Sequence, residues 1–188
     1  SAAEGMAAAG IARITLEAKD GLAITNGAQL TTAIAALACA DAAQLILSAE
    51  IAAAMTMEAL RGVSRAFVAA VHQLRPYRGA RACAANLRAL LAGSDLIDSL
   101  PDKVQDAYSL RCTPQVLGAA RDTMGFATSQ ISVELNAATD NPLILVDEPG
   151  ENKAFSAGMF HGEPVGMAMD VLKIAAAEVA SLAERRLY

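Results

Sequence analysis

Apolar positions run along this chain in long tracts, not in the two-residue alternation of strands. Residues 28–61 contain neither glycine nor proline, and their alanine, leucine, methionine and glutamate favour helix. At 1.5 Å per residue this tract predicts a helix of roughly 50 Å. It is apolar nearly all round, which predicts burial among other helices, some of them from neighbouring subunits. In residues 115–138, Val116, Ala120, Met124, Ala127, Ile131, Leu135 and Ala138 fall three or four apart on one stripe. From about residue 165 to the end, Val165, Met169, Leu172, Ala176, Val179 and Ala183 do the same. Residues 81–92 predict a shorter amphipathic helix ending at Gly93, and Pro101 bars a continuous helix through 94–103.

The connecting stretches are shorter and more polar. Residues 1–10 read as mildly helical and 11–16 as a short extended piece. Asp20-Gly21 signals a turn. Asn26-Gly27 reads as a tight turn with positive φ; the alternative is an Asn26 amide presented at the start of the next helix. Asp140-Asn141-Pro142 stops the second long helix, and 143–146 with 153–156 predict the two arms of a hairpin. The pattern is that of an all-α bundle of long helices with a short β-hairpin near 143–156, in a single domain over 1–188.

Composition sharpens this. The 188 residues are 54% hydrophobic but only 4% aromatic, with no Trp, and small side chains let helices pack closely. Net charge is −5 and there is no basic run, which argues against nucleic acid as a partner. Cys39, Cys83 and Cys112 show no CxxC spacing. They predict neither a disulfide framework nor a zinc site, and fit a reducing, cytoplasmic compartment. Each reads as a small buried hydrophobe. The N-terminus lacks a signal-peptide pattern. Asp41 and Glu50 interrupt the most apolar tract, so no uninterrupted run of about 18 residues predicts a membrane span. His72, one of two histidines, has no acid or nucleophile near it in sequence and reads as a surface residue.

The densest polar cluster is Gln105-Asp106-Ala107-Tyr108-Ser109-Leu110-Arg111-Cys112-Thr113-Pro114-Gln115. Gln105, Tyr108 and Arg111 recur every third residue, which places them on one face of a helical turn. Thr113-Pro114 reads as an N-cap followed by proline at the first helical position. A guanidinium flanked by a phenol and an amide suits an anionic, planar ligand. The competing reading pairs Arg111 with a structural carboxylate and packs Tyr108 into a core. Two more punctuated loops precede long helices, one with Asn26 and one with Phe160, His161 and Glu163. Helix starts favour anions, and Phe160 can form an apolar wall. No P-loop, nucleophile elbow, dinucleotide fingerprint or HExxH motif is present, and no metal ligand set is expected.

Residues 18–27, 105–115, 136–143 and 160–165 together resemble the aromatic amino acid ammonia-lyase family, in order and spacing through nearly the whole chain. The family comprises histidine, phenylalanine and tyrosine ammonia-lyases and related aminomutases. The resemblance implies a fumarase/aspartase-like helical bundle in a homotetramer, with active sites built from several subunits. It implies a methylidene-imidazolone (MIO) cofactor formed from an internal Ala-Ser-Gly, and elimination of ammonia from an aromatic L-amino acid. By motif match Arg111 binds the substrate carboxylate with help from Asn26. Tyr108 lies by the cofactor and assists elimination, Gln105 supports that cluster, and Phe160 and His161 fall at the substrate pocket. The segment Phe160-His161-Gly162-Glu163-Pro164 leans towards histidine as substrate. Phenylalanine or tyrosine lyases and aminomutases are the alternatives, as is, from another class, a cofactor-less helical assembly protein on the same scaffold.

Two departures stand out. No Ala-Ser-Gly occurs in the chain, and Met159 stands where the family often has Asn. The expectation is therefore a central segment of a longer lyase chain, inactive alone and completed by the remaining parts of the same polypeptide.

Overall fold

A computed structural model describes residues 1–188. In chain order the helices are α1 (Ala2–Ala8), α2 (Asp20–Thr25), α3 (Gln29–Ala59), α4 (Ala69–Gln73), α5 (Arg78–Leu90), α6 (Tyr108–Arg111), α7 (Thr113–Glu134) and α8 (Glu163–Leu187). A 3₁₀ turn, Ser64–Phe67, precedes α4, and β1 (Leu143–Ile144) and β2 (Ala154–Phe155) lie between α7 and α8. The all-α architecture with one small hairpin is as the pattern predicts. The residues form two compact units, Ser1–Gln29 with Ala137–Gly162, and Leu30–Asn136 with Glu163–Tyr188.

In the larger unit the core is a helical stripe from each long helix. Helix α3 buries Ala35, Cys39, Ala42, Ile46, Ala53 and Met57. Leu117, Ala120, Met124, Ala127 and Ile131 of α7 and Val165, Ala168, Leu172, Ala175, Val179 and Leu182 of α8 are also buried. Helices α5 and α7 approach backbone to backbone at Gly79 and Gly118, where a Cβ on either would strike the other helix. The α5 start has no cap of its own. Asp122 of α7 supplies one, its carboxylate accepting from the Gly79 N–H at 2.8 Å. That is why α5 begins at Arg78, three residues before the expected start.

The most deeply buried carboxylate in this unit is Glu50. Its carboxylate accepts from Arg121 Nη2 at 2.7 Å and from Asn86 Nδ2 at 2.6 Å, tying α3 to α7 and α5. The helical stretch Asp20–Ala59 is long and apolar enough to cross a membrane by length and composition. Asp41 and Glu50 interrupt it, which is why no unbroken apolar run marks it in the sequence. Leu30, Ile34, Leu37 and Met55 on α3 are exposed.

His72 departs from its surface reading. It is 4% exposed, and its Nε2 hydrogen-bonds the Ala66 carbonyl at 3.0 Å, because α4 folds back on the preceding 3₁₀ turn. Cys39 and Cys83 are buried thiols, but Cys112 is only half-buried, and none is in a disulfide.

In the smaller unit, Ser1 and Glu4 form a capping box at α1. Residues 11–16 form neither strand nor helix, and Asp20 opens α2 in place of the expected turn. Asn26 has φ −101°, and Gly27 takes the positive φ of 124°. A side chain on Gly27 would also strike the Thr139 carbonyl, so glycine is needed there twice over. Leu143 pairs with Phe155 and Ile144 with Ala154 in antiparallel register, a hairpin shorter than expected at both arms.

Candidate functional site

The approach to the polar turn is clamped to the end of α3. Lys103 Nζ donates to the Leu60 carbonyl at 2.9 Å and the Arg61 carbonyl at 3.2 Å, a cation placed at a helix C-terminus. The same Nζ pairs with the Asp106 carboxylate at 2.6 Å. Buried Asp106 accepts from the Val63 N–H at 2.6 Å. Gln105 and the start of α6 flank this clamp.

Helix α6 is a single turn. It stops at Cys112 (φ −92°, ψ 9°), and α7 restarts at Thr113 with Pro114 in its first turn. Cys112, not Thr113, is the N-cap. The every-third spacing works as expected within the turn. Arg111 lies against the Tyr108 ring, 5.1 Å from the guanidinium carbon to the ring centre. Gln105 lies outside the helix but still joins them, its Oε1 accepting from Arg111 Nη1 at 2.9 Å.

The competing reading of these residues does not hold. Tyr108 is 74% exposed, so it is not a core ring. Arg111 forms no ion pair; its side-chain partner is the neutral Gln105. Its Nε is buried and has no hydrogen-bond partner. A buried N–H donor left unpaired is costly unless a ligand serves it. Beside the turn lies a cavity of about 320 Å³ lined by Tyr108, Ser109, Cys112, Val116, Leu182 and Arg185.

The remaining sequence candidates lie in the smaller unit. Asn26 is half-buried, and in the same unit the Asp140 carboxylate pairs with Lys19 and accepts from the Asn141 N–H at 2.7 Å. The Lys19 bond, with the Asn141 N–H next, holds the Asp140 carboxyl below the usual carboxylate range. Phe160 is 41% exposed, and the His161 N–H donates to the Gly158 carbonyl at 3.0 Å. A Cβ on Gly162 would meet the Ala28 Cβ at 3.4 Å, so the chain just after His161 runs against the chain just after Asn26. No group of three or more His, Cys, Asp or Glu side chains is placed to hold a metal ion.

Sequence reasoning missed Arg186, in the last turn of α8. Its Nε donates to the Ser109 carbonyl at 3.2 Å and its Nη2 to Thr113 Oγ1 at 3.0 Å. The only local signal was a pair of arginines at a helix end. It also missed the Glu50–Arg121 pair, whose signal was one carboxylate in an apolar tract.

Within a bundle of long apolar helices, a one-turn insert thus presents a guanidinium, a phenol and an amide together. Residues 1–188 match the aromatic amino acid lyase family throughout, and the chain belongs to that family. It is 47% identical over 188 residues to a histidine ammonia-lyase of Alkaliphilus metalliredigens, covering 100% of this chain and 36% of that one. Among solved structures, the histidine ammonia-lyase of Trypanosoma cruzi is 38% identical with a TM-score of 0.86, over 98% of this chain and 34% of that one. The phenylalanine aminomutase of Pantoea agglomerans is 33% identical with a TM-score of 0.90, over 100% of this chain and 39% of that one. The chain thus spans little more than a third of the length of the relatives it matches.

Proposed function

We propose that this chain is the central segment of an ammonia-lyase that eliminates ammonia from an aromatic L-amino acid, histidine in first place, to give the α,β-unsaturated acid. One observation carries the reading: the buried Arg111 Nε has no protein partner, while Gln105 secures the opposite edge of the guanidinium. A guanidinium grips a carboxylate bidentately, and no acid of this chain occupies Arg111. Arg111 binds the substrate carboxylate. The exposed Tyr108 hydroxyl, on the same turn, donates or accepts a proton at its Oη as the substrate loses ammonia. Gln105 keeps the guanidinium in place.

The methylidene-imidazolone group that the family implies would come from an Ala-Ser-Gly outside residues 1–188, since none occurs within them. The residues present fit such a group: Tyr108 is exposed and polar, and no acid neutralises Arg111. Tyr108 and Gln105 would border it, and when bound it supplies the electron sink that lets the amino group depart. Asn26, assisting at the carboxylate, and Phe160 and His161, at the ring end, are assigned by resemblance. In this family active sites are assembled from several subunits. A homotetramer would cover exposed apolar positions of α3 such as Leu30, Ile34 and Leu37. The three free cysteines support a cytoplasmic location. No nucleic acid or membrane enters the reading.

The likeness to the Pantoea phenylalanine aminomutase favours a mutase as the second reading. The test uses the complete polypeptide with L-histidine, L-phenylalanine and L-tyrosine, following the absorbance of the conjugated acid and release of ammonia. Histidine is expected to be turned over fastest. A β-amino acid product, seen by mass spectrometry, would select the mutase. Failure to convert any of the three would overturn the proposal.

A further inference from the structure

The helical ladder breaks at Cys112, between α6 and α7. At this break the Ser109 carbonyl takes two side-chain donors. Thr113 Oγ1 reaches it at 3.4 Å, long for a hydroxyl donor, and Arg186 Nε at 3.2 Å. Arg186 Nη2 also holds the Thr113 hydroxyl at 3.0 Å. The guanidinium, the carbonyl and the hydroxyl form a closed triangle across the break. It joins the end of α8 to both sides of the turn that carries Tyr108 and Arg111.

Arg186 is half-buried and forms no ion pair, whereas its neighbour Arg185 is exposed and pairs with Glu184 at 3.2 Å. Burial pushes the Arg186 guanidinium below its usual range, so the fold bears a desolvation cost to keep it there. Its identified side-chain bonds, to Ser109 and Thr113, both go to the turn region.

We propose that Arg186 is a positioning residue, whose two bonds to Ser109 and Thr113 set the break after α6 and so fix the directions of Tyr108 and Arg111. The proposal rests on the reading of those two side chains as substrate-facing. Ser109 lies directly between them in the turn, so rotation of its peptide carries both. Misplacement of such groups by about 1 Å can cost on the order of a hundredfold in rate.

The experiment places Arg186→Gln and Arg186→Lys in the complete polypeptide, each alone and with Tyr108→Phe. Arg186→Gln is expected to lower kcat/KM roughly 10- to 100-fold with an unchanged far-UV circular dichroism spectrum. Arg186→Lys, which keeps the charge but not the two-pronged geometry, is expected to recover only part of that loss. In the Tyr108→Phe background the cost of Arg186→Gln should shrink, because part of its effect runs through the phenol. An equal cost in both backgrounds, or wild-type kinetics for Arg186→Gln, would overturn the inference while leaving the lyase reading intact. Global unfolding of both single variants would make Arg186 a general stability residue and overturn it as well. If the wild-type protein converts no aromatic amino acid, the lyase reading falls and takes this inference with it.

Discussion

The Arg111 guanidinium carbon sits 5.1 Å from the centre of the Tyr108 ring, so charge and phenol are held as one body on a single helical turn. A ligand that engages one meets the other. The energetic signatures of the two side chains should nevertheless separate, because one is assigned to binding and the other to proton transfer.

Arg111→Lys in the complete polypeptide is expected to raise KM sharply. A charge-assisted hydrogen-bonded contact contributes about 1.5–3 kcal/mol, or roughly 10- to 150-fold in affinity. A lysine offers a point charge where a fork is needed. Steady-state kinetics checks this, and an unchanged kcat/KM would remove Arg111 from the carboxylate site.

Tyr108→Phe is expected to lower kcat by about 10²- to 10⁴-fold, the range for loss of a general acid or base. Its effect on thermal stability should be slight, because the side chain is 74% exposed and has little packing to lose. Wild-type turnover in this variant would leave the phenol without a chemical role.

Glu50→Ala should destabilise the protein by about 3–5 kcal/mol, towards the lower end because Arg121 keeps some solvent contact. The change strands the Arg121 guanidinium, whose Nε already lacks a partner, and the Asn86 amide. Urea denaturation of the variant against wild type measures the loss. A change below about 1 kcal/mol would mean the helices repack around the site.

The Asp140 carboxyl gives a pH dependence of defined sign. Its folded-state pKa is depressed, first by the bond to Lys19. It therefore adds stability that is fully present above its unfolded value, near 4 (about 3.9 for a model Asp), and is lost as pH falls through the lower folded value. Asp140→Asn should flatten the acid limb of the stability profile below about pH 4. An acid limb of unaltered slope would show that the pair contributes nothing in solution.

How much of this was legible in the sequence follows from distance along the chain. Gln105, Tyr108 and Arg111 lie within one turn, so their spacing alone predicts that they meet. Arg186 meets Ser109 across 77 residues and Arg121 meets Glu50 across 71, separations that no local pattern encodes. The long helices were legible for want of glycine and proline, but their faces were only partly so. In α8 the expected Val165, Leu172 and Val179 are buried, but the other buried positions, Ala168, Ala175 and Leu182, fall one residue before the expected Met169, Ala176 and Ala183. Where both neighbours are apolar, hydrophobic periodicity cannot choose between them. Asn26-Gly27 was legible as a bend with positive φ, which falls on the glycine because it has no Cβ to resist it.

The three thiols give the molecule a chemical reporter of its own. Burial, reinforced by the Glu50 carboxylate, pushes the Cys83 thiol far above its usual range, and Cys39 is also buried. Both should stay silent towards thiol reagents in the native protein. Cys112 is half-exposed and occupies the break that Arg186 braces. The labelling rate of that one sulfur therefore reads out how firmly the turn is held, without any substrate in the tube.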